Sequence, residues 1–231
     1  MGETVQTPFG PKVLDVCRDG TSDNDDWIKV YEVSFPESQR QNINELKRQL
    51  LDGSMELDET RDQDGDILCM TITEVFRKRT DGSSPPFLLA CYTAVVPEFR
   101  GLGIGSIHRR KLGDLLKSEY PEYLGIFSEI ESTREKGIDE ESMRTRIRRK
   151  AFFMRLGLLP IDIDYLFPNY LPGGPPLHGE LLWVPFGAAS LAPSVLSSVL
   201  TRIYVEGYGL KPHDPLIASA LSQIDSLPVP S

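Results

Sequence analysis

The 231 residues predict a mixed α/β fold, on three observations. Apolar, β-rich runs such as Phe87 to Val96 alternate along the chain with stretches whose apolar residues recur at helical spacing. The two kinds of segment interleave instead of separating into blocks, as they do where helices pack on a sheet. One strand-like run also passes through three alternate glycines, Gly101, Gly103 and Gly105, directly into a helical pattern, Ile107 to Leu116.

A short strand is expected over Lys12 to Cys17, followed by a polar turn. Asp25 or Asp26 is placed to cap a helix carrying Trp27, Ile28, Val30, Tyr31 and Val33, which ends at Phe35-Pro36. Ile43 to Leu51 forms a second helix, stopped by Gly53. Met55 to Thr60 and Asp66 to Phe76 are strand-like, joined by an acidic turn containing Asp64-Gly65. Phe87 to Val96 follows the loop Gly82-Ser83-Ser84-Pro85-Pro86, and Gly125 to Glu131 is the next strand. Arg148 to Leu158 is an amphipathic helix closed by Gly157, with Pro160 just beyond. Glu180 to Phe186 is the last strand of a domain spanning residues 1–187. In residues 188–231, Leu191, Val195, Val199 and Ile203 mark one helix and Leu216, Ala220 and Ile224 another. This extension is expected to pack on the domain or against a second subunit, which leaves a homodimer open, with Pro228 to Ser231 frayed.

A chain of this length buries one sizeable core. Its net charge of −9 does not suit nucleic acid. The charge is uneven: Arg100 to Arg155 holds 13 Lys/Arg against 9 Asp/Glu, a balance of +4, and the remainder 12 against 25. Cys17, Cys69 and Cys91 are odd in number and lack metal spacing, so they read as reduced core residues and no metal is expected. No run of eighteen apolar residues and no signal-peptide pattern occurs, so a cytoplasmic protein without a membrane partner is expected. Met1-Gly2 suits a myristoylation start, but Gln6 stands where Ser or Thr is needed.

The glycine turn carries the chemistry. Glycines let the backbone turn tightly and approach a ligand, and a helix start leaves N–H groups unpaired at the positive end of the helix dipole. Together they form a cradle for an anion, usually a phosphate. The spacing is G-x-G-x-G, one residue short of the dinucleotide fingerprint, and the Walker A pattern is absent. Taken alone, the same turn also suits simple packing of a helix on a strand.

Arg100-x-x-Gly103-x-Gly105, preceded by Val95-Val96-Pro97-Glu98-Phe99, resembles motif A of the GCN5-related N-acetyltransferases (GNAT family). Arg148-Arg149-Lys150-Ala151-Phe152-Phe153-Met154-Arg155-Leu156-Gly157-Leu158 is similar to that family's motif B, at the right distance. The element order over residues 12–187 also resembles the family's. The resemblance implies the GNAT acyl-CoA acyltransferase fold, a mixed, mostly antiparallel sheet flanked by helices, here with the C-terminal extension. It implies acetyl-CoA as donor, its pyrophosphate over Arg100, Gly101, Leu102, Gly103, Ile104, Gly105 and Ser106. The basic block suits such a ligand.

Direct attack of an amine on the thioester follows from the same resemblance. The backbone amides of Val95 and Val96 are expected to hold the thioester oxygen, worth about 3 kcal/mol per donor. Many relatives carry a Glu where this chain has Leu89. Alternation puts Glu129 and Glu131 on one face of the next strand, so Glu129 is the first candidate for base or ammonium anchor and Glu131 the second. Both equally suit solvent-facing edge charges. Motif B usually supplies a tyrosine as general acid; Phe153 stands there, leaving it an apolar wall beside the cofactor thiol, with Tyr165 as a substitute acid or a core residue. The substrate wall is expected from the first two helices and from the loops Ser132 to Ser142 and Pro168 to Gly179, the latter carrying His178, which suits a base or, more ordinarily, a solvated loop residue. The acceptor is a small-molecule or peptide amine of unspecified identity. Leu89 and Phe153 keep open a catalytically silent acyl-CoA-binding or sensor module.

Overall fold

A computed structural model describes residues 3–18, 25–80, 82, 84–187 and 191–224. The polar turn expected after Cys17 and the end at 228–231 lie outside the described residues. The chain divides into two units, Met1–Val75 with Ala90–Tyr120, and Phe76–Leu89 with Pro121–Ser231.

The first unit opens with a hairpin that the sequence reading lacked: β1 (Glu3–Thr7) pairs antiparallel with β2 (Gly10–Arg18). Thr7 Oγ1 donates to the Gly10 carbonyl at 2.7 Å, closing the turn, and Gly10 takes a φ of 100° that favours glycine. β2 pairs with β3 (Met55–Arg61) and β3 with β4 (Ile67–Phe76), both antiparallel, and β5 (Phe87–Val95) follows in the order β1-β2-β3-β4-β5. β4 is buried along its whole length, its apolar residues interrupted by the buried Thr71, Thr73 and Glu74.

On one face lie α1 (Asp26–Ser34) and α2 (Ile43–Asp52). Trp27, Tyr31 and Leu46 from these helices meet Met55, Leu57, Met70, Ile72, Tyr92 and Ala94 in one cluster. Asn42 caps α2 by accepting from the N–H groups of Asn44 and Glu45, and Gly53 ends it at a φ of 72°. Asp25 precedes α1 without capping it and instead pairs with Lys47 at 2.6 Å. α3 (Ile104–Glu119) contributes Ile104 and Ile107 to a second cluster with Leu14, Leu68 and Cys69.

The second unit is centred on β9 (Leu177–Pro185), which pairs antiparallel with β6 (Gly125–Glu131), β7 (Leu159–Pro160) and β8 (Tyr165–Phe167). β9 begins three residues before the expected Glu180 start, because Leu177, His178 and Gly179 pair with β8. His178 therefore lies in a strand, opposite Leu166, and not in a loop. α4 (Glu140–Arg155) begins well ahead of Arg148, since Asp139 accepts from the Ser142 N–H at 2.9 Å and starts the helix there. The 132–142 stretch is thus partly helix.

The extension is not set apart from the domain. α5 (Pro193–Arg202), a π-helical turn over Ile203–Gly207 and α6 (Pro215–Leu221) belong to the second unit, where Leu196, Val199, Leu200, Ile203 and Tyr204 are buried. Arg202 anchors them. Its guanidinium donates to the carbonyls of Arg77 at 2.9 Å and Pro85 at 3.2 Å and lies over the stacked rings of Phe76 and Phe87.

Candidate functional site

In the first unit the turn 100–106 has a clear division of labour. Leu102 packs inward against the Leu14 and Leu68 cluster and Ile104 is buried within it. Between them Gly101 and Gly103 are exposed, at φ of 81° and 86°, and a Cβ built on either meets nothing within 4 Å. The apolar side chains thus fix the loop from below while its bare backbone faces outward. Gly103 is the N-cap of α3, and no side chain caps that helix start. The Ser106 N–H is already engaged, donating to the Gly103 carbonyl at 3.0 Å, so Ser106 offers only its hydroxyl. Arg100 folds back, its Nε donating to the Val95 carbonyl at 3.0 Å, which ties the turn to the end of β5. An outward glycine backbone at an uncapped helix start fits a phosphate or pyrophosphate.

One expectation for the thioester amides fails. The Val96 N–H donates to the Leu68 carbonyl at 3.0 Å, because sheet pairing runs one residue past the end of β5. It is not free to hold an oxygen. Successive N–H groups in a strand point to opposite edges, so the Val95 amide points away from Leu68 and keeps the role open.

In the second unit Glu129 and Tyr165 come together. Tyr165 on β8 donates its hydroxyl to Glu129 Oε1, and Tyr208, just past the π-helical turn, donates to Oε2 at 2.9 Å. Gly179 faces Tyr165 across the β8–β9 pair, where a Cβ would lie 3.2 Å from the Tyr165 ring and 2.6 Å from the Phe167 ring. Glycine at that position gives the rings room. Glu129 is half-buried by surface, yet its carboxylate is enclosed by protein, and this burial raises its pKa although both phenols pull it down. Tyr165 is 1% exposed with its hydroxyl engaged on Glu129. It reads as a partner of the carboxylate, and the substitute acid expected there is corrected on that ground.

Other candidates are placed differently. Glu131 pairs with Arg149 of α4, so it ties strand to helix. Phe153 is 6% exposed in a cluster with Ile130, Leu158 and Leu182, a core position rather than an open wall. The basic block is also partly engaged inside the protein: Arg146 pairs with Glu135, and Lys150 with the buried Glu180 at 2.5 Å. Tyr208 escaped the sequence reading altogether. It lies beyond the pattern that singled out residues 12–187, and no local signal links it to Glu129.

No protein-family model matches the chain. No curated protein matches it in sequence. Solved structures do match. An acetyltransferase of the GNAT family from Bacteroides thetaiotaomicron, described as putative, superposes with a TM-score of 0.64 at 19% identity, covering 85% of this chain and 99% of that one. The fold is that of the GNAT acetyltransferases. Arabidopsis thaliana NAA60, solved in complex with acetyl-CoA, has this fold too, with a TM-score of 0.55 at 10% identity over 75% of this chain and 98% of its own. An N-acetyltransferase from Staphylococcus aureus follows at 0.52 and 12% identity, over 75% and 98%. The GNAT fold accounts for the strand, glycine turn and helix succession of β5 and α3, which no composition argument would select.

Proposed function

We propose that the protein is an acetyl-CoA-dependent N-acetyltransferase that moves an acetyl group to a primary amine of a small-molecule or peptide acceptor. The observation that carries this reading is the outward-facing backbone of Gly101 and Gly103 at the uncapped start of α3, in a fold shared with acetyltransferases. Acetyl-CoA, when bound, supplies an activated thioester carbon. The cradle holds pyrophosphate through backbone amides, and the Val95 amide is assigned to the thioester oxygen. Glu129 is assigned the proton of the attacking amine. Its two oxygens each accept one phenol, and a carboxylate has about four lone-pair sites, so capacity remains. A raised pKa suits a group that must accept a proton near neutrality. With Phe153 in place of a tyrosine, the thiolate departs unaided, which a thiol pKa near about 8.5 permits.

The test is titration with acetyl-CoA, then thiol release over a panel of primary amines: an alkyl diamine, an aminoglycoside and a peptide with a free N-terminus. Gly103→Val puts a branched residue at a φ of 86° on the cradle, and a fall in acetyl-CoA affinity of tenfold or more is expected while the melting transition persists. Unchanged affinity removes the cofactor assignment. Tight binding of acetyl-CoA with no turnover on any amine favours the silent acyl-CoA-binding module.

A further inference from the structure

Glu129 is held by two phenols that come from different parts of the chain. Tyr165 on β8 takes one oxygen, and Tyr208 of the extension takes the other at 2.9 Å. A carboxylate gripped at one oxygen still rotates about its terminal torsion; gripped at both, it presents a fixed pair of lone pairs. The chain is specially shaped to deliver the second grip. Over Ile203–Gly207 the helix opens into a π turn, with the Tyr208 N–H donating to the Ile203 carbonyl at 2.9 Å. Such a turn inserts one residue and swings the side chains after it by about 100°. π turns are rare and concentrate at functional sites. The Tyr208 ring is then held between those of Tyr204, at 6.3 Å, and Tyr170, at 6.1 Å. Tyr204 is itself fixed by donating to the Leu166 carbonyl at 2.5 Å.

We propose that Tyr208 is a positioning residue for Glu129, so that the C-terminal extension completes the proton-accepting group of the transfer reaction. The inference rests on the reading of Glu129 as the base. The groups facing the carboxylate are Tyr165 from β8 and Tyr204 and Tyr208 from the extension. Burial raises the Tyr204 phenol's pKa, and the Glu129 charge raises it further. Glu131 on the same strand is matched by Arg149 of α4. Among the described residues no ion pair reaches Glu129, so the two phenols are what favours its anionic form, and they offset only part of the larger effect of burial, which raises its pKa.

The experiment uses the full chain with acetyl-CoA and the amine panel, comparing the unmodified protein, Tyr208→Phe, Glu129→Gln and the double variant. Tyr208→Phe is expected to keep the acetyl-CoA affinity and the melting transition, and to lower kcat about tenfold. The acid limb of its pH–rate profile moves to higher pH, because one of the donors that stabilises the anion is gone. In the Glu129→Gln background the same change has little further effect, as expected when one residue acts through the other. An unmoved acid limb, or losses that simply add in the double variant, overturns the proposal. Absence of turnover by the unmodified protein overturns the acetyl-transfer reading and this one with it. That result is distinct, because then all four proteins are silent.

Discussion

His108 shows how a single residue in this fold is held uncharged. It lies on α3, fully buried, with Nδ1 2.8 Å from Thr60 Oγ1 and Nε2 2.8 Å from Thr71 Oγ1. A neutral imidazole has one donor and one acceptor, and a hydroxyl meets either. Burial, reinforced by the neighbouring Arg109, holds its pKa down to about 3. Between an unfolded value near about 6.5 and that native value, the unfolded chain binds the proton and the native one does not. The stability His108 contributes is therefore full above about pH 6.5 and declines as pH falls, by up to about 1.4 kcal/mol per pH unit. Asp58 acts in the opposite sense, since burial raises it to about 6 despite Arg18. Its native state takes up protons between about 6 and 4, which adds stability as pH falls. The reading must therefore be the difference between the unmodified protein and His108→Gln. In urea unfolding at pH 7, 6 and 5 that difference is expected to narrow with the one-proton slope. A constant difference would falsify a neutral native His108.

At the level of elements, α4 is joined to the sheet by charge as well as by packing. Lys150 meets Glu180 of β9 at 2.5 Å, and Glu180, 3% exposed, also accepts from the Thr133 N–H at 2.7 Å and Oγ1 at 2.6 Å. Burial opposes its charge, but Lys150 and Thr133 outweigh burial and hold its pKa below the ordinary value. Lys150→Met leaves a buried carboxylate without its cation, a loss of roughly 3 kcal/mol. The stability this pair lends is present above the unfolded glutamate value near about 4.3 and disappears as pH falls through the lower native value. The deficit of Lys150→Met in denaturant melts is thus expected to be large at pH 7 and small at pH 3, and Lys150→Met with Glu180→Gln is expected to recover most of it. An equal deficit at both pH values would show that packing of the lysine stem, not charge, is what was lost. The same elements show what the sequence discloses. β6, Gly125–Glu131, matches its expected bounds, because turn signals precede it and apolar residues fill it. β1 was illegible: Glu3–Thr7 is half exposed and carries little apolar signal, so its pairing depends on the hairpin turn. The early start of α4 depends on the side chain of Asp139, and a capping aspartate looks the same in a loop.

At the level of the molecule, the motif pattern ends near residue 187 but the core does not. The glycine turn was legible because its geometry is local: consecutive residues form it. The grip on Glu129 was not, because its partners come from β8 and from the extension and meet only after the second unit has formed. The same non-local logic predicts what truncation does. Leu196, Val199, Leu200, Ile203, Tyr204 and Ile217 are each no more than 3% exposed. Burying side chains of this size contributes about 1.5–3 kcal/mol each, so together they match or exceed the roughly 5–15 kcal/mol by which a domain is stable. Removing them also strips the Phe76 and Phe87 rings of Arg202 and the carbonyls of Arg77 and Pro85 of its guanidinium donors. A chain of residues 1–187 retains every motif that resembles an acetyltransferase, yet it is expected to aggregate or to lack a cooperative melting transition. Circular dichroism and calorimetry on that chain, beside the full-length protein, give the measurement. A cooperative transition within a few degrees of the full-length value would show that the extension is an appendage, and that its buried residues cover a surface the rest of the chain closes without them.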